Sequence, residues 1–505
     1  MKLRALLFAL LMGLFALSEV QAQAPKKLAD LDAYLEAARK SYELPGLAIG
    51  IVKDGKMVYQ KGFGVRDIST NEKVDVQTVF AIASLSKAFT AASVGLMVDE
   101  GKLSWDDRVK DHLPELQLHD PYITSQLTVR DLLCHRSGLR TFDGDLLWYG
   151  TDYSRDEILQ RIRQLPVQYD FRARFGYQNI MFIGAGELVP RITGSSWDDY
   201  VKQRIFQPLG MTNSYTSIRQ FPDDINLAMP HVKGEKDRLL NYDNSGGAAT
   251  INSCVADLSK WMQMWLDQDK EGGTALLKSE TINTIFSNHT NLRVRAFDQE
   301  NGTHFKGYGL GWFLMDYQGV KVVHHGGGLP GYISKLALVP EQNLGIIVLT
   351  NGETSLPSAL MYQIIDLMND RSDRDWAQEF LAYKTQDEQQ KEEDQKEREN
   401  SRVKGTRASV ATSALVGTYR DEMYGDATVK LQDGKLYFVM EPAKTLFQGA
   451  LNHWHYDTYE IRLKDRFLPP GYITFEFDSK GAVKGFTIDL PNPDFHFYNL
   501  HFLKN

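Results

Sequence analysis

Cysteine is nearly absent: Cys134 and Cys254 are the two among 505 residues. A disulfide framework is therefore excluded as the source of stability, and two buried free thiols are expected. Clustered charge is missing as well. The net charge is −8 with no basic block, which argues against a nucleic-acid partner. Apolar runs long enough to span a bilayer are lacking, since the stretch from Leu6 to Leu17 falls short of the ~20 residues a span needs. There is no G-x-S-x-G elbow, no H-E-x-x-H pair, no Walker A loop and no internal repeat. Lipase-type triads, zincins and P-loop enzymes thereby lose their main support.

What is present begins with a targeting segment. Lys2 and Arg4 form a positive n-region, Leu6 to Leu17 an apolar h-region, and Val20-Gln21-Ala22 a small-residue cleavage site. Cleavage after Ala22 is preferred to cleavage after Ala24, which would leave Pro25 beside the cut. A periplasmic or secreted protein with no remaining membrane span is expected. No cysteine lies near the cut, so lipid attachment there is excluded.

At 43% hydrophobic and 24% charged, the chain is of globular composition and too long for one core. Leu28, Leu31, Tyr34, Leu35 and Ala38 predict an amphipathic helix. Two strand-like runs, 46–52 and 57–65, follow around an Asp54-Gly55 turn. Residues 155–268 read as mainly helical, with helices over 180–192 and 197–205. A β-rich return runs from Tyr308 to Leu349 and closes with a helix over 357–368. The expected class is α+β: one antiparallel sheet flanked by helices, plus a helical lobe. Composition shifts abruptly at Arg371, and residues 371–412 read as a solvated helix or disordered linker. Residues 413–505 alternate and are rich in aromatics, as a small antiparallel barrel or sandwich would be. The expected organisation is a signal peptide over 1–22, a main domain over 23–370, the linker over 371–412 and the β domain over 413–505.

The chemistry is carried by individually weak motifs. Ser84 opens a predicted helix and Lys87 lies one turn on, as an activated nucleophile with its amine or as an N-cap with a surface lysine. Ser401-Arg402-Val403-Lys404 repeats the spacing inside the charged linker, which sets the noise level. Tyr177-Gln178-Asn179 opens the helix over 180–192, whereas Tyr242-Asp243-Asn244 reads as a surface loop. His324 to Gly331 contains a formal G-x-G-x-x-G, but Pro330 interrupts it and no βαβ unit surrounds it. A glycine-lined sheet edge fits better. His453 and His455 share a strand face, but without a third ligand they read as a surface or core pair, not a metal site.

The order Ser84-x-x-Lys87, Tyr177-x-Asn179, His325-x-Gly327 resembles the penicillin-binding-protein and class C β-lactamase-like serine hydrolases. Residues 80–87, 131–139, 208–211, 308–312 and 325–331 look like further landmarks of that family, and the resemblance covers roughly residues 30–370. It implies a β-lactamase/transpeptidase-like fold in which Ser84 attacks a carbonyl and becomes the acyl-enzyme. Lys87 with Tyr177 would remove the Ser84 proton, with either as the base. Asn179 would hold Lys87 and the substrate amide, His325 and Gly327 would face the substrate, and the N–H groups of Ser84 and Gly328 would form the oxyanion hole. No metal or cofactor is implied; the partner is a small-molecule or peptide substrate, and oligomerisation is left open. The carbonyl would belong to an ester, an amide, a D-amino-acid peptide or a β-lactam. His325-Gly326-Gly327 departs from the family's Lys-Thr-Gly form, losing a permanent cation and a hydroxyl. Weak carboxylate recognition and little β-lactamase activity are expected. Residues 413–505 resemble the small β domain often fused to such hydrolases. The alternatives are a non-hydrolytic penicillin-recognising sensor or binding module, and a secreted binding protein with chance motif matches.

Overall fold

A computed structural model describes residues 25–267, 275–371 and 373–505. The signal segment over 1–22 lies outside the described residues.

The first helix, α1 (Leu31–Ser41), forms where the apolar spacing predicts it. Strands β1 (Gly46–Lys53) and β2 (Lys56–Gly64) follow, joined by Asp54 and Gly55, both at positive φ (53° and 73°). That is the conformation an Asp-Gly hairpin turn requires. Six more strands complete the sheet: β3 (Thr290–Asn291), β4 (Lys306–Tyr308), β5 (Phe313–Tyr317), β6 (Val320–Leu329), β7 (Tyr332–Val339) and β8 (Leu344–Thr350). The order is β2-β1-β8-β7-β6-β5-β4-β3, with every neighbouring pair antiparallel. The two N-terminal strands thus join the C-terminal ones, Leu47 pairing with Thr350 and Lys53 with Leu344.

Strand alternation assigns the two faces. On β1, Leu47, Ile49 and Ile51 pack with α1 and with α5 (Leu356–Met368), while Ala48 and Val52 face the opposite core. The opposite face receives α4 (Val255–Leu266) through Trp261 and Met262. Both faces are covered, so β1 and β8 read as continuous apolar runs despite being antiparallel. The helical lobe between the strand sets is built on α2 (Ser86–Asp99) and α3 (Asn179–Thr193).

The charged stretch after residue 370 forms one helix, α6 (Trp376–Asn400). Its first turn belongs to the core of the main domain: Trp376 is fully buried, stacks on Tyr362 at 4.8 Å and donates its indole N–H to Asp366 at 2.7 Å. Solvated character therefore begins later than the composition shift suggests. Eight strands, from β9 (Gly417–Asp421) to β16 (His501–Lys504), close into an antiparallel barrel where Tyr419 pairs with Lys504. The barrel alternative is the correct one; a sandwich would have left two open edges.

The barrel docks on residues 140–153 of the helical lobe. Tyr149 donates to Asp465 at 2.8 Å and stacks on Phe495 at 4.1 Å. His496 meets Asp143 at 3.0 Å, and Arg140 donates to Asn499 at 3.0 Å. The apolar core runs without a break from lobe to barrel.

Cys134 and Cys254 are buried free thiols, each pushed up to about 12 by burial. No described helix is long and apolar enough to cross a membrane.

One close approach fixes the sheet against the lobe. A Cβ on Gly327 would stand 2.2 Å from the Ile82 carbonyl oxygen and 2.4 Å from Ser334 Oγ. Gly327→Ala is expected to cost about 1–3 kcal/mol through overpacking, read as a lower midpoint in urea unfolding.

Candidate active site

Helix α2 does not begin at Ser84. Residues 83–85 form a 3-10 turn, and the α-helix starts at Ser86 with Leu85 as its N-cap. Ser84 is therefore no N-cap; it projects from a tight turn in which Ala83 has φ +50°. A left-handed alanine costs on the order of 1–3 kcal/mol and persists only where its surroundings dictate it. Here Ile82 donates its N–H to Ile251 at 3.0 Å and its carbonyl accepts from Ser334 Oγ at 2.9 Å. The result presents a partly exposed Ser84 to a cleft of about 1220 Å³.

Lys87 is fully buried beneath it, because the three-residue offset brings its amine back under the serine. Nζ stands 3.0 Å from Ser84 Oγ, 2.6 Å from Asn179 Oδ1 and 3.0 Å from the Ala248 carbonyl. Burial lowers its pKa to about 7, opposed by the Asp145 carboxylate. The neutral amine has two hydrogens and one lone pair. Two of its neighbours are obligate acceptors and take the hydrogens. The lone pair is left for the Ser84 hydroxyl proton.

Asn179 is oriented by a residue that motif reading missed. Its Nδ2 donates to Asp145 at 2.6 Å, which turns Oδ1 toward Lys87. Asp145 is buried, and desolvation raises its pKa to about 7 against the pull of Trp148, Asn179 and Lys87. It sits in a short turn with no spacing pattern of its own, so nothing in the sequence marks it. The barrel-docking segment 140–153 is the segment that carries it.

Tyr177 joins the group from the loop before α3, its hydroxyl close enough to Ser84 for the serine to influence its titration and its ring 4.9 Å from Lys87 Nζ. Burial pushes its pKa well above the usual phenol value, so it stays protonated. His135 packs against the Tyr177 ring at 4.2 Å, and its Nδ1 accepts the Gln178 N–H at 2.9 Å. Ser84, Lys87, Tyr177 and Asn179 are thus brought together.

Strand β6 forms the far wall. Val320–His324 pair with β5, but from His325 to Leu329 the strand is paired on the β7 side alone. The glycine run lies inside this strand and leaves one backbone edge free beside the Ser84 turn. Gly328 is exposed on that wall. Two expectations need correction. Gly327 is buried and packs against Ile82 and Ala83, so it seats the turn and does not face substrate. His325 borders the cleft, but its side chain is buried and turned inward, with both ring nitrogens engaged, by Tyr308 hydroxyl at 2.9 Å and by its neighbour's carbonyl, Gly326 O, at 2.6 Å. Burial lowers its pKa to about 3, so it supplies no cation.

The other sequence candidates fall elsewhere. Tyr242 and Asn244 are half-buried, and Asn244 donates to the carbonyls of Trp148 and Thr151; that loop braces the lobe. Ser401 and Lys404 are exposed beyond α6. His453 binds the Tyr456 carbonyl and His455 accepts from Val403. Among the described residues no group of three or more His, Cys, Asp or Glu could hold a metal ion. The barrel enters the cleft directly, through Phe467, Asp494 and Phe495.

Comparison with known proteins accords with this geometry. The family described as Beta-lactamase matches residues 31–365, and a domain of unknown function, DUF3471, matches 401–504. Unguisins hydrolase ungD of Aspergillus violaceofuscus is 26% identical, over 70% of this chain and 67% of its own length. Penicillin-binding protein 4 of Amycolatopsis lactamdurans is 29% identical over 63% of this chain and 83% of its own. Protein flp of Staphylococcus aureus is 24% identical over 64% of this chain and 62% of its own. The octameric penicillin-binding protein homologue from Pyrococcus abyssi shares the fold at a TM-score of 0.61 and 21% identity, covering 94% of this chain and 100% of that one. With the family's match spanning most of the chain and the barrel domain fused behind it, this protein belongs to the beta-lactamase family of penicillin-binding-protein-like serine hydrolases.

Proposed function

We propose that the protein is an exported serine hydrolase whose Ser84 is transiently acylated by an ester, amide or D-amino-acid peptide. The observation carrying this reading is the 3.0 Å contact between Ser84 Oγ and a fully buried Lys87 amine. Lys87 is the base: its pKa of about 7 matches neutral pH, whereas Tyr177 is held protonated. The amine takes the hydroxyl proton as Ser84 Oγ bonds to the carbonyl carbon. The N–H groups of Ser84 and Gly328 receive the oxyanion. Tyr177, beside Ser84, protonates the leaving group and is reprotonated from Lys87. Water then attacks the acyl-enzyme by the reverse proton route. A relative named as an unguisins hydrolase accords with a hydrolytic reaction. Export rests on the positive and apolar pattern of residues 2–22.

Ser84→Ala is expected to lower kcat for p-nitrophenyl acetate by at least about 10⁴-fold, and Tyr177→Phe by about 10²–10³-fold. A fluorophosphonate probe should label the wild type and not Ser84→Ala. Labelling without any turnover would instead make the chain a sensor.

The base must be deprotonated, so kcat/KM should rise with pH through about 7 and then level off. Asp145 holds the Lys87 pKa up. Asp145→Asn should therefore move the acid limb to lower pH, measured as a pH profile on the same ester.

A neutral His325 forfeits a charge-assisted bond to the carboxylate fixed on a fused β-lactam ring, worth about 1.5–3 kcal/mol. Nitrocefin kcat/KM is expected roughly 10–100-fold below that of the p-nitrophenyl ester; parity between them would refute this.

A further inference from the structure

The loss of a cation at His325 does not leave the cleft without one. Side chains alternate along β6, so His324, Gly326 and Gly328 share the cleft-facing side while His325 and Gly327 turn inward. On β7, Lys335 is the register partner of Gly326 and Ile333 that of Gly328. Because residue 326 has no side chain, Lys335 lies over it: a Cβ on Gly326 would stand 4.0 Å from Lys335 Cδ. Lys335 is half-buried in the cleft wall, and its ammonium donates to His324 Nδ1 at 3.0 Å.

Three features make this a built site. No carboxylate among the described residues pairs with Lys335, whereas nearby Lys306 is matched by Asp298 at 2.8 Å. His324 is an uncharged acceptor, its pKa pushed well below the usual value by burial and by Lys335. It fixes the ammonium in place yet leaves two N–H groups free. A half-buried cation without a counter-ion carries an unpaid desolvation cost that an incoming anion would relieve. Burial, with help from Lys306, brings the Lys335 pKa down to about 8, so it remains mostly charged at neutral pH.

We infer that Lys335, lying over Gly326, seats a carboxylate of the substrate and sets specificity for anionic acyl compounds. The inference rests on Ser84 chemistry at the other end of the same strand edge. Two residues of strand separate Gly326 from Gly328, about 7 Å, so the carboxylate should stand roughly that far from the scissile carbonyl. An acyclic chain can span this distance. A carboxylate fixed on a fused bicyclic ring close to its amide stands nearer the scissile carbonyl than that, so the low nitrocefin turnover expected from a neutral His325 still stands.

Two matched substrate pairs test this on the full-length protein: p-nitrophenyl butyrate with p-nitrophenyl hydrogen glutarate, and phenyl acetate with 3-carboxyphenyl acetate. Lys335→Met should lower kcat/KM for the anionic member of at least one pair about tenfold more than for its neutral partner. The change should appear in KM, and Lys335→Arg should restore it. Lys335→Gln serves if the methionine variant misfolds. Binding of glutarate and 3-hydroxybenzoate to Ser84→Ala, by calorimetry, removes the dependence on turnover. There, adding Lys335→Met should weaken at least one Kd about tenfold. Equal losses for anionic and neutral members, with both Kd values moving less than twofold, would overturn the anion site. A Kd that shifts in a protein with no Ser84-dependent turnover would preserve the site and sink the hydrolase reading instead.

Discussion

A lysine amine sealed away from water, with no carboxylate in hydrogen-bonding contact, is the constraint from which the rest of this cleft follows. Lys87 has zero exposure, and its three contacts are a hydroxyl, an amide oxygen and a main-chain carbonyl. Such surroundings favour the neutral form because they solvate an ammonium less well than water does. Asp145 limits the effect from behind Asn179, close enough to raise the Lys87 pKa but not bonded to it. Had that carboxylate been in direct contact, it would have held the proton on Lys87 and idled the base. The intervening amide lets a single negative charge tune the amine while Oδ1 keeps it aimed.

Asp145 in turn ties the chemistry to the C-terminal domain. It belongs to the segment that Asp465, Phe495, His496 and Asn499 grip from the barrel, through Tyr149, Asp143 and Arg140. Phe467, Asp494 and Phe495 also stand in the cleft wall. The barrel is thus both a clamp on the loop that orients Asn179 and part of the surface a substrate meets. Binding energy gathered there can be spent on geometry at Ser84, since interactions remote from the reacting bond can position it.

Legibility followed periodicity. The sheet's N- and C-terminal strands, the helical lobe and the barrel were readable because alternation and 3.6-residue spacing act over many residues. Ser84, Lys87, Tyr177 and Asn179 were readable as an ordered set, and the structure brings them within contact of one another. What stayed hidden depends on approach between distant segments. Asp145 matters through Asn179, 34 residues away. Gly327 looked like a substrate contact because a glycine has no pattern to show which side of a strand is crowded. The helix start slipped from Ser84 to Ser86 because the left-handed Ala83 is imposed by Ile251 and Ser334, which lie far along the chain.

The third motif shows how a local reading can mislead about a site. Taken as a string, His325-Gly326-Gly327 has lost a cation and a hydroxyl. In the sheet the histidine turns inward, where Tyr308 and the Gly326 carbonyl engage both its nitrogens. The missing side chain at 326 is then an opening instead of a deficit, because a neighbouring strand runs alongside and Lys335 occupies the space. Charge at a sheet surface belongs to a position in two dimensions, and a strand's own sequence records only one of them. The glycines that remove the family's threonine and crowd the Ser84 turn into place are also the residues that let a cation arrive from the side.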